Sequence, residues 1–249
     1  MKNLMQSLKM QFRVPIAIFF SLVFPIIMMI IMIISYGNFP IGHGLHFIDK
    51  YFLVSTSIGL LPLALISFPI WISESIESKV FERLQYLGVN VRKIVFSDLV
   101  SYLILAMLSI LLNIVIARLF FNLSIPTLGY LLTFLIQIIY CVLVLFLLGL
   151  LLALIVANTR ILMPLGMIVM FLAYMFIGVF IRFDELPKKI ISVSNRLPVK
   201  YMTNDFFNIW NGNELWDINF IKLNSIWAII LIVFVVIIYY TKYTKFVRR

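Results

Sequence analysis

The chain has 249 residues, of which 63% are hydrophobic and only 12% charged, and its mean hydropathy is +1.12. A soluble globular domain carries roughly twice that share of charge, so the composition excludes that class and predicts an all-α polytopic membrane protein. The formal charge of +10 does not call for nucleic acid, because membrane proteins keep Lys and Arg on the cytoplasmic side and beside anionic headgroups.

In chain order, residues 1–14 read as an amphipathic helix lying along the membrane. Leu4, Met5, Leu8 and Phe12 fall on one arc, with Lys2, Lys9 and Arg13 opposite. A basic start followed by apolar residues also suits a signal peptide. The run over 14–34 is longer than such an apolar core, however, and no small-x-small site follows it, so it reads as an uncleaved first span kinked near Pro25. A loop over 36–50 carries His43 and His46. Span two covers 51–72, bent by Pro62 and Pro69. A charged island at 74–98 precedes span three at 94–117, which Arg118 ends. After a turn containing Pro126 comes span four at 128–157, overlong and therefore tilted or extended beyond the bilayer. Span five covers 161–181, with Pro164 near its start. A second polar segment at 182–222 leads to span six at 223–240 and a basic tail with Lys242, Lys245, Arg248 and Arg249. The whole chain, 1–249, reads as one transmembrane domain.

Lys and Arg in the short loops set the orientation. With the N-terminus inside, the cytoplasmic segments hold Lys79, Arg83, Arg92, Lys93 and Arg160 as well as both basic termini, whereas the short outer loops hold only Lys50 and Arg118. Both termini and the charged island are therefore expected in the cytoplasm of a cell bearing this chain in its plasma membrane, and 182–222 outside.

The catalytic signatures are absent. There is no G-x-x-x-x-G-K-[ST] phosphate loop, so ATP is not hydrolysed by that route here, no H-E-x-x-H and no G-x-S-x-G. Cys141 lies in an apolar run, which excludes an intrachain disulfide and a Cys-based metal site. His43 and His46, with only Asp49 near them, read as ordinary loop histidines. No span carries Asp, Glu, Lys, Arg or His in its central part, which argues against an intramembrane hydrolase and a proton-coupled carrier. The polar residues inside spans are mild. Ser55, Ser57, Asn113, Gln137 and Tyr174 either line a pathway or form interhelical hydrogen bonds.

Within the island, Val80, Leu84, Leu87 and Val91 recur at helical spacing and share a face, with Lys79 and Glu82 pointing elsewhere. Such a helix docks into a soluble partner or floats at the headgroups. A pure lipid binder would be mostly basic, and this one mixes both signs. In the outer segment Val199, Met202, Phe206 and Trp210 share a face and Gly212 suits a helix C-cap. These helices are expected to re-enter the outer leaflet and cover the exit.

Two stretches carry a resemblance to a known family. The run Glu77-Ser78-Lys79-Val80-Phe81-Glu82-Arg83-Leu84, then Leu87-Gly88-Val89-Asn90, is similar to the pattern of an acid, Gly-Thr-Leu-Glu and Pro-Val-Ser before span three in ABC-2 type transporter permeases. Lys79 stands at that pattern's glycine and Gly88 at its proline. Leu186-Pro187, Leu197-Pro198-Val199-Lys200-Tyr201 and Asn208-Ile209-Trp210-Asn211-Gly212 resemble the same family's outer segment. The resemblance implies a six-span permease half that makes no covalent chemistry and works with a second half, the same chain or a related one. It implies two copies of a separate ATPase that holds ATP and Mg. It also makes residues 78–87 the coupling helix, with Glu77, Lys79, Val80, Glu82, Arg83, Leu84, Leu87 and Gly88 at the ATPase contact, and residues 1–14 the elbow helix. Spans without charge imply an apolar or amphipathic cargo, such as the peptides moved by small exporters of phenol-soluble modulins or bacteriocins. Lipid or polymer-precursor export, a membrane enzyme acting on lipids, and a non-transporting immunity or sensor subunit are the alternatives.

Overall fold

The computed structural model describes residues 18–42, 44–180 and 183–243. The expected elbow helix at 1–14, His43, Arg182, and the tail residues Lys245, Arg248 and Arg249 lie outside them. Among the described residues, six helices are long and apolar enough to cross a membrane. They are α1 (Phe19–Tyr36), α2 (Phe47–Glu77), α4 (Val91–Phe121), α5 (Leu128–Val156), α6 (Thr159–Ile177) and α9 (Ile218–Lys242). Between them lie α3 (Val80–Tyr86), α7 (Lys188–Ser194) and α8, which covers residues 198–210. The expected number of spans is met, and the fold is all-α apart from β1 (Pro40–Gly42) and β2 (Leu45–His46), a small antiparallel hairpin. That hairpin and the start of α2 at Phe47 shorten the loop expected at 36–50.

Other boundaries shift too. Residues 74–77 belong to α2 and residues 91–98 to α4, so the charged island shrinks to the 78–90 connection. Span five stops at Ile177, where Gly178 takes φ +82 as a left-handed cap. Span six starts at Ile218, because the Asp217 side chain caps it by accepting the Phe220 N–H at 2.9 Å.

Proline explains both the bends and much of the polar chemistry inside the bundle. A proline nitrogen has no hydrogen, so the carbonyl four residues earlier loses its helical donor. The helix widens into a π-helical turn at Phe19–Val23 before Pro25 and at Leu63–Ser67 between Pro62 and Pro69. The released carbonyls then find partners on other helices, as they must in a medium without water. Ser109 on α4 donates to the Ser21 carbonyl, four residues before Pro25, at 2.5 Å. Tyr174 on α6 donates to the Ile58 carbonyl, four residues before Pro62, at 2.8 Å. The Leu65 carbonyl, four residues before Pro69, faces Gly166, where a Cβ would sit 2.5 Å from its oxygen. The neighbouring Ala64 carbonyl meets Gly149 of α5 more closely still. The absence of a side chain at these glycines lets α5 and α6 close on the bent middle of α2.

α2 is the central helix, its hydropathic core largely buried. At one end of the bundle, Asp49 accepts the N–H of His46 and of Ser124, each at 2.7 Å, and Asn38 bridges the Ile48 N–H and the Phe121 carbonyl. This ties the hairpin and α2 to the turn after α4. The opposite end carries α3 and the α5–α6 turn.

Candidate functional site

At the α3 end, the connection from α2 reverses within two residues. Lys79 adopts φ +56, ψ +25, a left-handed conformation that costs a non-glycine residue about 1–2 kcal/mol. Here the glycine of the resembled pattern would fit without strain, so the departure at Lys79 leaves the turn intact at a cost. Gly88 closes α3 with φ +74, and Asn90 caps α4 by accepting the N–H groups of Arg92 and Lys93.

These two breaks overturn the continuous stripe expected from Val80, Leu84, Leu87 and Val91. α3 ends at Tyr86, Leu87 is its cap, and Val91 opens another helix. The face that holds α3 to the bundle is formed instead by Phe81, edge-on to Trp71 at 5.9 Å between centroids, with Leu84 half-buried. Val80, Tyr86, Leu87 and Val89 point away, with Tyr86 91% and Leu87 77% exposed. Lys79, Glu82, Arg83 and Gly88 are exposed around them. The result is a small apolar patch ringed by both charge signs. Tyr86 and Val89 escaped the sequence analysis because a single helical wheel cannot show a helix that stops after seven residues.

Glu77 behaves differently from its neighbours. Its carboxylate accepts the backbone N–H of Thr159 at 3.0 Å, on the first turn of α6, where Asn158 caps the N–H groups of Arg160 and Ile161. The end of α2, the root of α3 and the start of α6 thus meet at one point.

The mild polar residues inside the spans make hydrogen bonds within and between helices. Ser55 sits 2.7 Å from the Pro25 carbonyl and 2.8 Å from Asn113 Oδ1, while Asn113 donates to the Ser109 carbonyl. Ser57 donates to Leu53 within its own helix. Gln137 spends both ends of its amide on the turn before α9, accepting from the Asp217 N–H at 3.1 Å and donating to the Leu215 carbonyl at 3.3 Å. Tyr174 completes the Pro62 defect. All five are buried. Beside Tyr174 an apolar cleft opens between α1, α2 and α6, lined by Phe20, Phe24, Met28, Met170 and Phe171 among others.

Val199, Met202, Phe206 and Trp210 do share a face, and it is wholly buried. The Trp210 ring lies 4.3 Å from Phe52 of α2 and 5.1 Å from Phe134 of α5, and Phe206 meets Phe220 of α9 at 4.8 Å. Gly212 ends α8 with φ +81, as its place in the sequence suggests. In the polar part of α8, Lys200 Nζ is 2.8 Å from Asp205 Oδ2. Partial burial raises the Asp205 pKa above the ordinary carboxylate value, opposed by Lys200 and reinforced by the Asp217 charge. Among the described residues no group of three or more His, Cys, Asp or Glu side chains gathers as a metal site would require.

A family model of the ABC-2 type transporter matches residues 2–209, spanning the first five transmembrane helices and nearly all of α8. The chain belongs to the ABC-2 type transporter family. It is thus the permease subunit of an ABC transporter, a multi-pass membrane protein whose family works with an ABC ATPase. Searches of curated proteins and of solved structures return no match.

Proposed function

We propose that this permease is one half of an exporter and that α3 is where a separate ATP-hydrolysing chain drives it. The observation that carries the reading is the exposed patch of Val80, Tyr86, Leu87 and Val89 on a helix anchored by Phe81 at the end of the bundle. A short helix offering apolar anchors inside a mixed-charge rim suits a groove on a folded partner. The distribution of Lys and Arg among the short loops supports a plasma-membrane orientation with this end and both termini on the cytoplasmic side. Two ATPase copies, holding ATP and Mg, close beneath two permease halves, and the approach of the two α3 helices opens the outer side. Cargo moves outward only because its binding energy differs between the two states. The apolar lining of the cleft between α1, α2 and α6 supports an apolar or amphipathic cargo such as a peptide, toxin or drug. Export of a lipid or polymer precursor would use the same machinery.

Co-purification tests this. The tagged permease is expected to retain a Walker-A-bearing ATPase in equal amount, and Leu87→Glu or Glu82→Lys to release it while the six-span fold persists. Retention by both variants would remove α3 from the interface. Absence of any ATPase would favour the non-transporting sensor or immunity subunit.

A further inference from the structure

Arg196 lies in a part of the molecule where the sequence gives no warning of a charge at membrane depth. It occupies the turn between α7 and α8, and that turn is folded down into the bundle. The adjoining Leu197 and Pro198 pack beside Val144, Leu145 and Leu148 of α5 and Leu231 of α9. The Arg196 carbonyl accepts the Trp227 indole N–H at 2.8 Å. At about 1.5 Å of rise per residue, Trp227 is about 14 Å along α9 from Ile218, and Val144 about 24 Å along α5 from Leu128. With its other face at Lys242, about 22 Å from Trp227 at the same rise, a hydrocarbon slab about 30 Å thick reaches past the tip of this re-entrant hairpin by about 8 Å.

The backbone at the tip is satisfied, and the guanidinium is not. Arg196 is exposed, and among the described residues no carboxylate or carbonyl accepts from its side chain. A cation at that depth marks a binding function and needs an anionic partner. The rest of the exposed face of α7 describes that partner. Lys188 and Lys189 are exposed at its mouth, Ser192 and Val193 are exposed between, and no acid intervenes before Arg196. Beside it α9 offers exposed Ile226, Ile229, Ile230 and Val233.

We propose that Arg196 binds the phosphate of a membrane lipid drawn down the exposed face of α7, with its acyl chains along α9. A guanidinium fork matches phosphate oxygens two at a time, and the apolar α9 surface suits a phosphate that arrives attached to hydrocarbon. Trp227 is the positioning residue that pins the turn. The assignment rests on the membrane fold and is independent of the direction of transport.

The test uses the full-length permease in neutral detergent, with three probes at equal concentration: phosphatidylglycerol, diacylglycerol of the same chains, and inorganic phosphate. Phosphatidylglycerol is expected to raise the thermal unfolding midpoint by several degrees and to remain bound in intact-protein mass spectrometry, with no effect from the other two. Arg196→Gln should abolish most of that shift and Arg196→Lys should keep part of it. An undiminished shift in Arg196→Gln, or equal stabilisation by diacylglycerol, would overturn the proposal. Equal stabilisation by inorganic phosphate would overturn the lipid as its source. If Arg196→Gln does not fold, photo-crosslinking of a phosphatidylglycerol probe to the 226–233 stretch of the unmodified protein decides. Competition by phosphatidylglycerol but not diacylglycerol supports the site, and competition by both rejects it.

Discussion

The carboxylate of Glu77, the last residue of α2, accepts the backbone N–H of Thr159, the first residue of α6, at 3.0 Å. Two residues later the chain turns through left-handed Lys79 into α3. A push on α3 therefore reaches α6 through one hydrogen bond as well as through the bundle, and α6 supplies Met170 and Phe171 to the apolar cleft. Glu77→Ala is expected to leave ATPase binding intact but to reduce several-fold the ATP turnover of the reconstituted complex. Glu77→Gln, whose amide oxygen still accepts, should keep most of it. Equal turnover in all three forms would mean that the link carries no force.

Lys79 pays a conformational penalty that glycine avoids. Lys79→Gly is expected to stabilise the permease by about 1 kcal/mol, read as a small rise in the unfolding midpoint, without weakening ATPase binding. Lys79→Val, with a branched Cβ in the same left-handed conformation, should lower it. The φ of +56 is the reason for both signs.

The bond from Tyr174 to the Ile58 carbonyl exists because Pro62 cannot donate. Removing the hydroxyl with Tyr174→Phe is expected to cost about 1–3 kcal/mol, since the carbonyl is left unsatisfied away from water. In a Pro62→Leu background the backbone regains its own N–H, and the same Tyr174→Phe change should cost far less. A double-mutant cycle on thermal or denaturant unfolding measures the coupling directly. Additive costs would show that the proline and the phenol are independent.

Gly149 and Gly166 face the Ala64 and Leu65 carbonyls on the bent middle of α2. A methyl group at either position collides with backbone, which cannot swing aside as a side chain can. Gly149→Ala and Gly166→Ala are each expected to destabilise the bundle by about 1–3 kcal/mol. Gly129, whose Cβ would enter open space, is the control and should tolerate Ala. Unfolding midpoints of the three purified variants make the comparison.

The sequence alone determined the class, the six spans, the presence of a short helix between spans two and three, and the shared face of Val199, Met202, Phe206 and Trp210. Those features rest on composition and on periodicity along one helix, which a linear string records. It did not reveal that Tyr174 and Ser109 answer prolines elsewhere in the chain, that Asp49 fastens the hairpin to the turn after α4, or that Gln137 holds the start of α9. Each of these joins residues dozens of positions apart, and only the packing of helices decides which released carbonyl meets which donor. The same holds for α3, where left-handed Gly88 and the Asn90 cap detach Val91 from one apparent stripe, of which Leu84 is half-buried and Val80 and Leu87 are exposed. It holds also for Arg196, whose carbonyl the tertiary structure brings to Trp227 of α9, beside α5.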